Sequence, residues 1–396
     1  MKPFRLVQRL LQVMMLLSLL TACALPQVSA ETRMFLDASL DFLGETTLPT
    51  GHLSGVTYEL QGYGPQTSPG VHLYGVLGEM DSSGETGIYQ LKLDLDNLDL
   101  DNLLSDASTP SALSVESIIA LKDQSGQTFK DKNLQLESIV FTPRNSVFIA
   151  AEEVHDGQNI PLIGEFDLQT GQLKNTVPLP PNYRPQTDEE APQGIQSNFG
   201  FHSLTIAPDG FSKGGLDPFR LFATTSAPLL QDLDADGTQL RILHYVIADR
   251  ASFLVSENLY SLDSHPETDS PSRLIAMVAL PETGMFLSLE QFSTAEPGLT
   301  PTSSRYHYKI YQVFTGNATD TSKIASLRKP ISIVQPLQKK LLLDLDKLDL
   351  PSQPLEGMTL GPRLPNGDRS LILISNDPHD TTSPSQFLLF SMKQEA

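Results

Sequence analysis

The chain has 396 residues, 47 acidic against 27 basic, and a formal net charge of −20. A surface of that sign repels nucleic acid and anionic membranes, so neither is a partner held by charge. The composition is 39% hydrophobic and 19% charged, which suits a globular chain long enough for one large core or up to about three domains.

In chain order, Lys2, Arg5 and Arg9 precede an apolar run from Leu10 to Leu20. A basic flank before a short apolar segment reads as a secretory signal, too short to span as a mature helix. Leu20-Thr21-Ala22-Cys23 resembles a bacterial lipobox, whose cysteine is lipidated and becomes the mature N-terminus. Cys23 is the only cysteine in the chain, so no internal disulfide competes for it. Val28-Ser29-Ala30 offers ordinary cleavage at a small-x-small site as the alternative. The lipobox reading gives a signal over 1–22, a tether over 23–39 and one domain over 40–392. It places the protein on a membrane by its lipid, at the cell envelope and facing the periplasm. Losing residues 1–22 removes three basic residues and no acidic one, moving the net charge from −20 to −23. Replacing Cys23 by Ser is expected to move the protein to the soluble fraction. Persistence in the membrane pellet would overturn the lipobox.

Residues 31–50 read as a lead-in strand, of the kind that closes a ring of sheets against the opposite terminus. A two-part unit then recurs. Its first part is Leu53-Ser54-Gly55-Val56-Thr57-Tyr58, which returns at 136–143, 201–210 and 355–362, and more weakly at 275–281. Its second part starts at 73, 147, 221, 285 and 371, with steps of 74, 74, 64 and 86. β-branched and aromatic residues bounded by turn signals such as Pro208-Asp209-Gly210 make both parts strands. The expected fold is all-β: a single-domain β-propeller of five to seven blades. A period near 75 exceeds the roughly 40–50 residues of common blades, so the loops must be long.

The runs 88–104 and 341–350 alternate leucine with aspartate, the period of a half-buried strand with an acidic outer face. Residues 105–117, 179–197, 262–273 and 293–304 carry the composition of loops. No G-x-S-x-G elbow, H-E-x-x-H, Walker loop or Cys-x-x-Cys is present, which removes the common motif-bearing hydrolases, metalloproteases and nucleotide-binding folds.

The informative residues are carboxylates at equivalent places in the repeat. Glu137 and Glu356 share one position of the first part, where Ser54 and His202 stand in other copies. Glu79, Glu152, Glu290 and Asp377 end the second part. Equivalent blade positions converge on a propeller axis. Carboxylates gathered there repel one another unless a cation or basic group joins them, and oxygen-rich sites suit Ca2+. The other reading is that these acids bond turn backbones within each blade. Asp232-Leu233-Asp234-Ala235-Asp236-Gly237 is a second Ca2+ candidate, with Asp232, Asp234 and Asp236 as its ligands. The acid closing an EF-hand would stand at Leu243, so it is not an EF-hand.

Several of these segments together resemble one family. They are Gly51-x-Leu53-Ser54-Gly55-Val56-Thr57-Tyr58, Leu136-Glu137-Ser138-Ile139, Asn198-Phe199-Gly200-Phe201-x-Ser203-Leu204, Ala227-Pro228-Leu229-Leu230-Gln231-Asp232, and Leu355-Glu356-Gly357-Met358-Thr359-Leu360-Gly361-Pro362. In this order, over about residues 40–392, they are similar to the "esterase-like activity of phytase" family of phytase-like domain proteins. The resemblance implies a β-propeller and hydrolysis of phytate or another phosphoester. The chain departs from the family pattern in several places. His202 stands for the acid of G-F-E-S-L, Ser226 for the acid of T-E, Gln135 for the first acid of D-x-E, Gln291 for the arginine of L-E-R, and Asn376 for the first acid of S-D-D.

Two function classes follow. One is a Ca2+-assisted phosphoester hydrolase at the cell envelope, taking a small phosphorylated substrate. Glu137, Glu152, Glu290, Glu356 and Asp377 would be its ligands or bases, with Arg144, Lys309 and Arg369 on the phosphate. The other is a non-catalytic propeller lipoprotein that binds a ligand or partner, which the missing acids favour.

Overall fold

A computed structural model describes residues 35–48, 53–59, 71–77, 86–94, 113–129, 134–155, 158–186, 192–207, 217–233, 237–249, 251–263, 272–294, 305–328, 333–348, 350, 353–376 and 384–394. The signal and Cys23 lie outside them, as do Glu79, Asp234, Asp236 and Asp377. No helix among the described residues is long and apolar enough to cross a membrane.

The strands form five four-stranded antiparallel sheets. The first is β2 (Leu53–Tyr58), β3 (Val71–Leu77), β4 (Gly87–Leu93) and β5 (Leu113–Ala120). The second is β6 (Leu134–Phe141), β7 (Ser146–His155), β8 (Gln158–Asp167) and β9 (Leu173–Thr176). The third is β10 (Ser203–Ile206), β11 (Phe219–Thr224), β12 (Gln239–Ile247) and β13 (Ser252–Ser261). The fourth is β14 (Arg273–Ala279), β15 (Met285–Thr294), β16 (Arg305–Phe314) and β17 (Gln338–Asp344). The fifth is β18 (Leu355–Arg363), β19 (Arg369–Ser375), β20 (Ser385–Gln394) and, as its outer strand, β1 (Ala38–Leu48). This is a five-bladed β-propeller. The two parts of the sequence repeat are the first and second strands of each blade.

The lead-in segment closes the ring. β1 pairs antiparallel with β20 from Ala38↔Gln394 to Leu48↔Ser385, so the N-terminal strand completes the C-terminal blade. The pairing also covers the outer edge of β20.

The core lies between the blades. Leu73 and Leu91 of the first blade pack on Ile372 and Leu389 of the fifth. Phe148 and Ile163 of the second pack on Leu221, Leu243 and Tyr245 of the third. Each fully buried Leu or Ile contributes about 1.5–3 kcal/mol relative to exposure. Inner strands touch in ring order, β2 to β6 to β10 to β14 to β18 and back to β2. Hydroxyls stitch several of these contacts. Thr57 Oγ1 accepts from Phe141 N at 3.0 Å, Ser138 Oγ from Leu204 N at 3.1 Å, and Ser203 Oγ from Met277 N at 2.8 Å. Gly55 leaves room for this approach, since a Cβ there would stand 3.0 Å from the Ser138 Cα.

Candidate functional site

The inner strands share an irregularity. Their pairing to the second strands slips at Leu53/Gly55, Leu136/Ser138, Leu274/Ala276 and Leu355/Gly357. The residue skipped is Ser54, Glu137, Ile275 or Glu356. A bulge leaves one residue unpaired and re-aims its side chain. His202 holds the corresponding place in the third blade, just before β10. Five equivalent positions around the ring therefore carry Ser, Glu, His, Ile and Glu.

The structure brings Glu137, His202 and Glu356 into mutual influence. His202 Nε2 lies 3.1 Å from Glu137 Oε2, with the two side chains 23% and 15% exposed. Burial pushes the Glu137 carboxyl up to about 7. Burial also pushes Glu356 up to about 7, where the Glu137 charge adds to the rise while His202 and Arg273 oppose it. The same burial lowers His202, despite the pull of Glu356 and Glu152. Burial thus moves both carboxyls up towards neutral pH and moves the imidazole beside them down.

Neighbouring blades support this cluster. Leu355 N donates to the Tyr308 hydroxyl at 2.9 Å, and Gln291 Nε2 donates to the same oxygen at 2.7 Å, which fixes the backbone next to Glu356. Ser54 Oγ donates to Leu136 O at 2.8 Å, beside Glu137. Glu152 on β7 is buried and accepts from Asn159 Nδ2 at 2.6 Å. Burial raises its carboxyl, the Asn159 bond counters that, the Glu137 charge adds to it and His202 offsets it. Gly200 lets the chain before His202 lie against Glu152; a Cβ there would meet Glu152 Oε1 at 2.6 Å. Arg273, at the start of β14, interacts with Glu356 and places its guanidinium 4.5 Å above the Phe199 ring. Sequence reasoning missed Arg273, Asn159 and Tyr308, none of which stands at a repeated acidic position.

Other residues expected at the site are placed elsewhere. Glu290 is fully buried between blades. It pairs with Lys339, accepts from Tyr260 at 2.5 Å and takes Asp263 N at 3.0 Å. Arg144 donates to the carbonyls of Ala248, Asp217 and Ile247 and sits 4.9 Å over Phe219. Its turn joins β6 to β7 at the end of β6 away from Glu137. Arg369 begins β19 opposite Arg363, at the end of β18 away from Glu356. Lys309 lies over Phe292 at 5.1 Å. Arg144 and Arg369, expected as phosphate contacts, both sit at the ends of the strands away from Glu137 and Glu356.

Asp232 is likewise corrected as a metal ligand. It is fully buried, and Arg241 grips it twice, Nε to Oδ2 at 2.5 Å and Nη2 to Oδ1 at 2.9 Å. Leu327 N adds a bond of 2.7 Å to Oδ1. With its oxygens engaged in this way, the carboxylate is a structural counter-ion rather than a free ligand. Nor do the remaining acids among the described residues fit a resident Ca2+, which takes six to eight oxygens. Among the described residues no three His, Cys, Asp or Glu side chains converge as a metal-holding group. Glu137 faces an imidazole and Glu152 is bonded to Asn159.

A family model described as "Phytase-like: Esterase-like activity of phytase" matches residues 72–378. The chain belongs to this phytase-like family. The match spans the inner-strand bulges at Glu137, Ile275 and Glu356, together with His202, so the cluster lies inside the family domain. No curated protein matches the sequence. Solved structures with some likeness include an endo-arabinase from Bacteroides thetaiotaomicron, 11% identical, TM-score 0.39, over 89% of this chain and 97% of that one. A glycosyl hydrolase from Bacteroides ovatus is 10% identical, TM-score 0.37, over 88% and 84%. A DUF4221 family member from Bacteroides vulgatus is 11% identical, TM-score 0.38, over 90% and 99%. At these values the likenesses say nothing of chemistry.

Proposed function

We propose that this phytase-like protein is an ester hydrolase whose acid–base chemistry is carried by Glu137, His202 and Glu356 around the propeller axis. The observation that supports it is the 3.1 Å contact of His202 Nε2 with Glu137 Oε2, in a cluster whose burial pushes Glu137 and Glu356 up to about 7 and the imidazole down. Groups whose pKa lies near the working pH are the effective proton donors and acceptors.

The roles follow from the contacts. Ionised Glu137 accepts from His202 Nε2–H and leaves Nδ1 as the base. That nitrogen takes a proton from water as the water oxygen bonds to the ester carbon. Protonated Glu356 gives its proton to the departing oxygen as the ester C–O bond breaks. The imidazolium proton then returns to the Glu356 carboxylate, so one ester and one water become one acid and one alcohol. Arg273 faces the negative charge that develops. A phosphate dianion would meet Glu137, Glu152 and Glu356 together, so a less charged ester suits the site better. The departure at His202 supplies the base where the family pattern carries an acid.

Hydrolysis of 4-nitrophenyl acetate, 4-nitrophenyl phosphate and phytate, each with a chelator and with added Ca2+, tests this. Turnover of the acetate that ignores the chelator is expected. Phosphate release that requires Ca2+ would instead support the metal-assisted phosphoesterase. Turnover of none of the three would leave a ligand-binding propeller.

A further inference from the structure

A cleft of about 570 Å³ opens at the edge of the second blade, where β8 begins and the chain leaves β9. Asn159, Ile160, Leu162, Leu179, Arg184 and Pro185 are among its walls. Such a volume suits a small organic molecule. Two contacts tie it to the acid cluster. Asn159 lines the cleft and donates to Glu152, whose carboxylate interacts with Glu137 and His202. Tyr183, next to Arg184, stacks on Phe201, next to His202, with ring centroids 5.7 Å apart and planes within 12°.

The walls are set rather than loose. Tyr245 Oη donates to Pro178 O at 3.0 Å, and Tyr183 Oη donates to Glu257 at 3.0 Å. Val177 N donates to Ile163 O at 2.8 Å, holding the exit of β9 against β8. Ile160 is 41% exposed on this wall. Arg184 is exposed, and no acid among the described residues pairs with it. A guanidinium with no acid partner among the described residues, set beside apolar walls, suits an anion with an apolar body.

We infer that this cleft is the subsite for the non-reacting part of the substrate, an apolar organic group bearing an anionic substituent that Arg184 receives. This rests on the ester-hydrolase reading, and it makes the substrate an ester whose charge lies away from the bond that breaks. Binding energy from such a remote group serves to orient the reacting bond.

Calorimetric titration of the whole protein with naphthalene-2-sulfonate and with uncharged 2-naphthol tests the subsite without any turnover. The sulfonate is expected to bind more tightly than the naphthol. Arg184→Glu is expected to remove that advantage, weakening the sulfonate about tenfold, the size of one charge-assisted hydrogen bond, with little effect on the naphthol. Ile160→Asp is expected to weaken both several-fold. Both residues are exposed, and unchanged melting temperatures would show that folding is intact. Sulfonate affinity untouched by either substitution, or no binding to the wild type, would overturn the subsite. Ester turnover measured on the same wild-type preparation separates the two readings. A protein that binds the sulfonate through Arg184 yet hydrolyses no ester keeps the subsite and loses the hydrolase.

Discussion

Glu356→Gln is expected to lower kcat/KM for ester hydrolysis by about 10²–10⁴-fold, the usual worth of one general acid–base group. Glutamine keeps the shape and removes the proton that the leaving oxygen needs. Folding stability should move the other way. The folded Glu356 carboxyl lies at about 7, above its ordinary 4.5. Its folded form therefore binds a proton more tightly than the unfolded chain does. That contribution is complete below about 4.5 and is lost as the pH rises through 7. At pH 8 the wild type holds an ionised carboxyl in a desolvated site, and the amide does not. Glu356→Gln and Glu137→Gln should both melt higher than the wild type at pH 8, with the gain vanishing near pH 4. For the little-exposed Glu137 the gain is on the order of 1–3 kcal/mol. A variant that loses both activity and stability at pH 8 would instead make the residue a structural brace.

Arg241→Met is expected to be the most damaging single change to the fold. Arg241 is 1% exposed and lies between two buried acids, Asp232 and Glu257. Burial alone would lower its pKa, but the Asp232 hydrogen bond and the Glu257 charge outweigh it and hold the guanidinium charged. Removing it strands two buried carboxylates, a loss of about 3–5 kcal/mol. The damage would spread beyond blade three. Asp232 also anchors Leu327, and Glu257 accepts from Tyr183 and from Thr321 at 3.2 Å. Chemical denaturation measures the loss directly. The triple replacement of Asp232, Arg241 and Glu257 by apolar residues should recover most of it, because no unpaired charge remains. Intact stability in Arg241→Met would contradict the network.

The fold was legible because each blade repeats the same pattern. Leu136-Glu137-Ser138 and Leu355-Glu356-Gly357 differ in detail but share alternation and turn signals, and the spacing of the second strands located all five blades. The shared repeat position of Glu137 and Glu356 was legible for the same reason, and both stand at the inner-strand bulge of their blades. The function of each remaining acid was not. Asp232 and Glu290 look like Glu356 on paper, yet each faces a cation: Arg241 on β12, nine residues along, and Lys339 on β17, forty-nine residues along. Neither separation matches a strand or helix period, so neither pair leaves a pattern in the sequence. The bulges at Ser54, Glu137, Ile275 and Glu356 were hidden for a related reason: a slip of one residue belongs to the pairing of two strands, not to either alone. Arg273 had no copy in other blades, so the repeat could not point to it.

The most direct test of the axial acid–base site is the pH dependence of kcat/KM for 4-nitrophenyl acetate, compared between wild type and Glu356→Gln. The profile reports the essential groups of the free enzyme. Wild type should lose activity above pH 7, as the Glu356 proton is given up, and that limb should be missing from the residual activity of Glu356→Gln. A wild-type profile without a limb near 7, or one that Glu356→Gln leaves unchanged, would contradict the assignment of the chemistry to the axial cluster.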